Sequence, residues 1–316
     1  MTAVIFTILP VFAVVLAGWG VARAKLINAE GVAGFGNVTF YLFVPALLFR
    51  AMRNIHFETL DPRPMYTYFG GALLCFFIVI FVSRQWLRRD IRHGVVTALG
   101  VTFSNTVLLG IPLIKLAFGD AGLVVLLTII SMHSLILMAV STLIVEFAAG
   151  FGHPGNRAAK SHWMNTLDAI RNTVINPVIL PIIAGLSYGA LRLPLPEALD
   201  APLALLAAAS GPCSLVLLGA SLAQYGIAQY WKSALVLTVL KNVAFPLLIW
   251  ALGRFVFGLN DLSLAVATVT AALPIGANVY LFAQRYNVAQ GEVTAAVAFS
   301  SAVSVFTLAV VMYWFG

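Results

Sequence analysis

Charge is what this sequence has least of. Only 9% of its 316 residues are charged, against 61% hydrophobic residues and a mean hydropathy of +1.00. A soluble globular domain carries about 25% charged residues, so that class is excluded. Cysteine is nearly absent, and Cys75 and Cys213 both fall inside apolar segments. Neither a disulfide framework nor a metal-ligand spacing can be built from them. No GxxxxGK[ST] loop occurs, nor any polar stretch large enough to fold as a nucleotide-binding domain. Driving force from ATP is therefore excluded, which leaves gradients or the membrane potential. HExxH is missing, as are paired aspartates within apolar segments, and Ser210 and Ser214 have no histidine in their own segment. An intramembrane enzyme would need one of those constellations.

What the chain has instead is apolar segments of about 17 to 25 residues. That length crosses a hydrocarbon core of about 30 Å as helix, whereas a barrel would use alternating strands of about 10 residues. The expected fold class is an all-α polytopic membrane protein with ten transmembrane helices, at about 4–22, 36–53, 65–84, 94–116, 121–148, 172–191, 202–224, 231–256, 262–284 and 292–315. The first segment has no basic residue ahead of it and no small-residue cleavage site, so it reads as a retained helix rather than a signal peptide.

The net charge of +7 lies in the loops between these spans, which points to membrane topology and away from nucleic acid. Eleven bases follow the odd-numbered spans: Arg23, Lys25, Arg84, Arg88, Arg89, Arg92, Arg157, Lys160, Arg171, Lys232 and Arg285. Six lie on the other side: Arg50, Arg53, Arg63, Lys115, Arg192 and Arg254. The expected location is a plasma membrane, and the positive-inside rule then places both termini outside the cytoplasm. Arg50 and Arg53, near a span end, are expected to snorkel to the outer surface.

The longest polar connection, residues 150–168, divides the spans five and five. The expected organisation is a first repeat over 1–149, a cytoplasmic linker over 150–170 and a second repeat over 171–316. An odd number of spans per half turns the second repeat upside down relative to the first. The ninth span carries its own interruption in AALPIGANVYLFAQRYN, residues 271–287, where Pro274, Gly276 and Asn278 fall at mid-membrane. Proline removes a backbone donor and clashes with the preceding turn, and glycine loosens the chain. The fourth span has a counterpart in SNTVLLGIPL, residues 104–113, and Pro45 of span two corresponds to Pro212 of span seven. Paired interruptions in corresponding positions are the sequence signature of a transporter site, because freed backbone groups are tolerated in a bilayer only inside protein or along a cavity.

These segments resemble the auxin efflux carrier family. NTVLLGIPL at 105–113 and AALPIGANVYLFAQRYNV at 271–288 are similar to its paired signatures, FVPALLF at 43–49 to its second span, and Lys241 with Pro246 in KNVAFP to its eighth. The resemblance covers essentially the whole chain. It implies two inverted five-helix repeats with crossed broken helices 4 and 9, and an organic anion bearing a carboxylate as substrate. Bacterial members include proteins assigned as malonate and malate carriers. Two departures stand out. The central connection is about 20 residues, where many plant members have a long regulatory loop, and Ile275 with residues 277–279 differs from the plant pattern after Leu-Pro. Both favour a small carboxylate over auxin.

The expected substrate site is Asn105, Thr106, Pro112, Pro274, Gly276 and Asn278, where helix N-termini suit a carboxylate and free carbonyls suit a cation. The structural alternative is that the prolines kink packed helices and the amides join neighbours. Lys241, mid-way along its span, is costly there by about 2.5 to 3.5 kcal/mol unless something offsets it. It either balances the substrate's charge, titrates during transport, or is a structural cation on helix-end carbonyls or on an acid, with Glu146 the candidate acid. His133 either relays protons or bonds across helices. Pro45, Ser210 and Ser214 join the site if spans two and seven pack against the breaks.

The function expected is a secondary carrier of malonate, malate or an auxin-like acid, working by alternating access. It needs no cofactor, with Na+ or H+ left open as coupling ion, and its partners are the bilayer and the substrate, with a homodimer left open. The runner-up is a cation/proton antiporter of the same architecture, which needs intramembrane carboxylates near the breaks. The sequence places none beside Asn105, Pro112, Pro274 or Asn278.

Overall fold

The computed structural model describes residues 2–53, 61–150, 179–192, 194–223 and 230–315. The expected linker over 150–170 lies almost wholly outside them. Among the described residues the protein is helical, with no strand. In chain order the helices are α1 (Thr2–Arg23), α2 (Ala29–Arg53), α3 (Arg63–Gln85), α4 (Ile91–Thr102), α5 (106–118), α6 (120–150), α7 (Ile179–Ala190), α8 (Glu197–Leu222), α9 (Trp231–Val256), α10 (Asp261–Ala272), α11 (Asn278–Arg285) and α12 (Gln290–Phe315).

Among the described residues, six stretches are long and apolar enough to cross a membrane: α2, α3, 106–145, α8, α9 and α12. The third is 40 residues long, about 60 Å at 1.5 Å per residue and twice a bilayer core. It turns at Gly119, whose φ of 64° and ψ of −156° suit glycine alone. Lys115 and Asp120 pair across that turn. Residues 9–23, 180–190 and α10 are shorter apolar helices.

Caps and prolines explain the boundaries. Asn28 caps α2 by accepting the Gly31 N–H at 2.8 Å, and Asn260 caps α10 by accepting the Ser263 N–H at 2.8 Å. Helix α2 begins seven residues before the expected position 36, because its GVAGFGN start looks like a loop by composition. Three prolines share one device. The π-helical turns Thr39–Phe43, Thr106–Gly110 and Leu240–Ala244 each end two residues before a proline, Pro45, Pro112 and Pro246. A widened turn makes room for the ring that would otherwise strike the preceding carbonyl.

Two apolar cores result. One gathers α3, α4, α9 and α12 around Tyr68, Phe76, Leu99 and Phe245. The other gathers α1, α2, α5 and α8 around Val15, Leu48, Leu109 and Leu217. Within the second, glycine lets backbones touch. A Cβ on Gly219 would stand 1.8 Å from the Val15 carbonyl oxygen, and one on Gly18 would stand 2.2 Å from that of Val216. Helix α7 meets α2 likewise, where a Cβ on Gly189 would stand 2.3 Å from the Arg53 carbonyl oxygen. Apolar burial cannot drive association in lipid, so such close backbone contact supplies it.

Arg50 and Arg53, expected at the outer surface, are partly exposed and share one partner. Both reach Asp200 of α8, Arg50 through two bonds of 3.0 Å and Arg53 at 3.4 Å, and so tie α2 to α8.

Gly219→Leu should therefore lower stability by about 1 to 3 kcal/mol, the usual cost of overpacking. A fall in the detergent-solubilised melting temperature, absent for Gly20→Leu where a Cβ meets nothing, checks this.

Candidate functional site

Two breaks face each other. Helix α4 ends at Thr102, and Phe103 and Asn105 leave helical geometry at φ −88°, ψ 104° and φ −76°, ψ 66° before α5 begins. Helix α10 ends at Ala272, Leu273 is extended at φ −58°, ψ 149°, and α11 begins at Asn278. The freed backbones pair with each other. The Asn105 N–H donates to the Pro274 carbonyl at 2.8 Å, and the Gly276 N–H donates to the Phe103 carbonyl at 3.0 Å. Ser104 and Ile275 thus form an isolated antiparallel bridge. The Ile275 N–H turns away and donates to Ser300 Oγ of α12 at 3.1 Å. In hydrocarbon each unmade bond would cost several kcal/mol, so this pairing makes the breaks tolerable. Glycine is required at 276, since a Cβ there would stand 2.8 Å from Phe103 Cδ1 and 3.2 Å from the Ser104 carbonyl oxygen.

A cavity of about 300 Å³ opens beside this bridge. Asn105, Thr106, Gly276 and Asn278 line it, together with Phe103, Ser104, Ser134 of α6 and Asn37 and Tyr41 of α2. Asn105 and Thr106 are buried, and the Asn278 side chain is exposed. No charged side chain lines the cavity among the described residues. Its polarity comes instead from amides, hydroxyls and the positive ends of α5 and α11.

The opposite ends of the breaks meet Lys241. Its buried Nζ donates to the Ala271 carbonyl, in the last turn of α10, at 2.5 Å and to Ser104 Oγ at 2.7 Å. It also lies 4.9 Å from the Phe245 ring centre. Tyr68 Oη shares Ser104 Oγ at 3.0 Å. For the charged form, two such bonds at about 1.5 to 3 kcal/mol each offset the 2.5 to 3.5 kcal/mol cost of insertion. A cation at the negative end of a helix gains further from the dipole. The side chain of Glu146 lies outside the described residues.

Other expected residues fall away from the cavity wall. Pro274 contributes its carbonyl to the bridge. Pro112 sits within helix beyond the break, and a Cβ on Gly211 of α8 would stand 3.7 Å from its own Cβ. Pro45 follows its π-helical turn, and Ser210 and Ser214 are buried on α8. His133 lies behind the wall, buried, its ring 4.5 Å from that of Phe103. Among the described residues neither ring nitrogen makes a hydrogen bond.

Ser104, Tyr68, Ser134, Asn37 and Tyr41 escaped sequence reasoning. A polar residue at helical depth was the available signal for Asn37, masked by the late expected start of its helix. Tyr68 reads as an ordinary aromatic until Ser104 is placed beside it.

Comparison with known proteins bears on this arrangement. Residues 3–312 match the family described as "Membrane transport protein". The "Putative malonate transporter" of Rhizobium meliloti (strain 1021) is 23% identical over 307 residues, covering 97% of this chain and 94% of its own. "Auxin efflux carrier component 8" of Arabidopsis thaliana is 24% identical over 329 residues, covering 90% of this chain and 89% of its own. With its apolar helices, the protein is a multi-pass membrane protein of a transporter rather than an enzyme family. The chain belongs to the membrane transport protein family that contains the auxin efflux carriers.

Proposed function

We propose that this protein is a secondary carrier of a small carboxylate such as malonate or malate, bound in the cavity beside the paired breaks. One observation carries the proposal. The N-termini of α5 and α11 and the amides of Asn105 and Asn278 meet at one cavity with no charged side chain in its wall, so the helix ends give it a positive field. Each helix N-terminus is worth about half a charge. Two of them hold a carboxylate without the permanent grip of a buried ion pair, which favours release. About 300 Å³ is at the small end of ligand pockets, which favours a compact dicarboxylate over an auxin-like acid. The Rhizobium relative, named for malonate, supports the same choice.

In this mechanism, α4 with α5 and α10 with α11 each count as one broken span. The chain then has ten spans in two inverted repeats, 1–149 and 171–316, joined by the linker over 150–170, with the broken fourth and ninth spans crossing at the bridge. The cavity lies between the breaks and α2. Alternating access arises when the α1, α2, α7 and α8 group rocks against the helices that carry the breaks.

The rival cation/proton exchange lacks a binding group, since no carboxylate lines the cavity among the described residues. Lys241 already occupies the helix-end carbonyl that a cation would seek. We therefore propose transport independent of sodium.

Asn105→Ala and Asn278→Ala should each weaken malonate binding by about tenfold to a hundredfold, the loss of one hydrogen bond to a charged group, with the melting temperature kept. Titration calorimetry on purified protein checks this, and wild-type affinity in both variants would remove the cavity assignment. Replacing sodium by choline should leave malonate uptake into proteoliposomes within about twofold. Lys241→Met should fold, since an apolar side chain of similar volume avoids an unpaired buried charge. Its transport should fall at least about tenfold, because the Ser104 and Ala271 contacts, each worth about 1.5 to 3 kcal/mol, are lost.

A further inference from the structure

A trough runs along α9 and α12. Its deep part holds about 420 Å³ between Val243, Leu247, Phe306 and Val310, with Asn242 at its floor. Leu247, Phe306 and Val310 are exposed, so this wall faces lipid. An adjoining part of about 610 Å³ reaches Arg254 and Asp261, and the two parts share Trp250 and Trp314.

The trough is graded as a membrane leaflet is graded. Tryptophan gathers at the boundary between hydrocarbon and headgroups, and Trp250 and Trp314 stand edge to face at 6.2 Å where the two parts join. Below them the walls are apolar, and above them both signs of charge appear. Along α9, Asn242 to Arg254 is about 18 Å at 1.5 Å per residue, against about 15 Å for one leaflet of a 30 Å core. The trough is therefore as long as one acyl chain in its leaflet.

The charges at its mouth decide what kind of lipid fits. Arg254 and Asp261 are both exposed, and neither side chain makes an ion pair or hydrogen bond among the described residues, although both line the same space. Arg63, whose guanidinium reaches the neighbouring Gly258 carbonyl at 3.3 Å, is already paired with Asp61 at 2.8 Å. A free cation and a free carboxylate above an acyl slot match the phosphate and ammonium of one zwitterionic headgroup. We propose that the trough binds a single glycerophospholipid of the phosphatidylethanolamine type. Its phosphate rests on Arg254, its ammonium on Asp261, and one chain descends past the tryptophans to Asn242. A chain entering the trough leaves one hydrocarbon phase for another and gains little from transfer. Selectivity rests on the headgroup, where the guanidinium meets phosphate through parallel N–H donors.

Native mass spectrometry tests this on the full-length protein in detergent, offered equimolar phosphatidylethanolamine, phosphatidylglycerol and phosphatidylcholine. One phosphatidylethanolamine should be retained in preference to the other two. Arg254→Gln and Asp261→Asn should each reduce its retention about tenfold. Val310→Trp, which fills the trough from the lipid side, should abolish retention while leaving the melting temperature and malonate affinity unchanged. Equal retention of the three lipids, or unaltered retention in both charge variants, overturns the proposal. So does a second protein copy, lost in Val310→Trp, in place of a lipid adduct. Malonate binding is read separately, so failure here leaves the carrier function untouched.

Discussion

The structure depends on two backbone hydrogen bonds, from Asn105 N–H to the Pro274 carbonyl and from Gly276 N–H to the Phe103 carbonyl. A helix broken in hydrocarbon exposes groups that no water can satisfy. Each break is the other's partner, so neither could exist alone. The pairing also sets polarity. It sends the N-termini of α5 and α11 toward one cavity and leaves the end of α10 to Lys241. Gly276 is the steric condition for the whole arrangement, because any side chain there meets Phe103.

Around this bridge the molecule separates rigid from adaptable contacts. Glycines seat α8 against α1 and α7 against α2 at backbone distance, and Asp200 ties α8 to Arg50 and Arg53. Those contacts allow little sliding. Between α2 and the breaks lies a cavity, lined on the α2 side by the side chains of Asn37, Phe40 and Tyr41, with no such close backbone contact across it. Under the proposed mechanism that is where relative motion costs least. Lys241 ties the two breaks together, because it bonds Ser104 of one and Ala271 beside the other.

Much of this was legible in the chain. Scarce charge and long apolar runs announced a helical membrane protein, and Pro274, Gly276 and Asn278 marked the second break at its observed place. The first break was legible only through its resemblance to the second. Pro112 drew attention toward itself, yet the chain leaves the helix at Phe103 and Asn105. The reason is physical. A π-helical turn absorbs the proline, as it does at Pro45 and Pro246, and the helix ends where a backbone partner is available. Lys241 stood out by its cost, but its partners could not be read, because Ser104 and Ala271 lie far from it in sequence. The shared partner of Arg50 and Arg53 was hidden for the same reason, since Asp200 is 150 and 147 positions away.

The most direct test of the central claim is an experimental structure of the protein in lipid nanodiscs with saturating malonate. The account predicts a carboxylate in the cavity, its oxygens within hydrogen-bond reach of the first-turn N–H groups of α5 or α11 and of the Asn105 and Asn278 amides, with Lys241 still on Ser104 and Ala271. Malonate bound elsewhere, or held directly by Lys241 with the bridge between Ser104 and Ile275 opened, would contradict it.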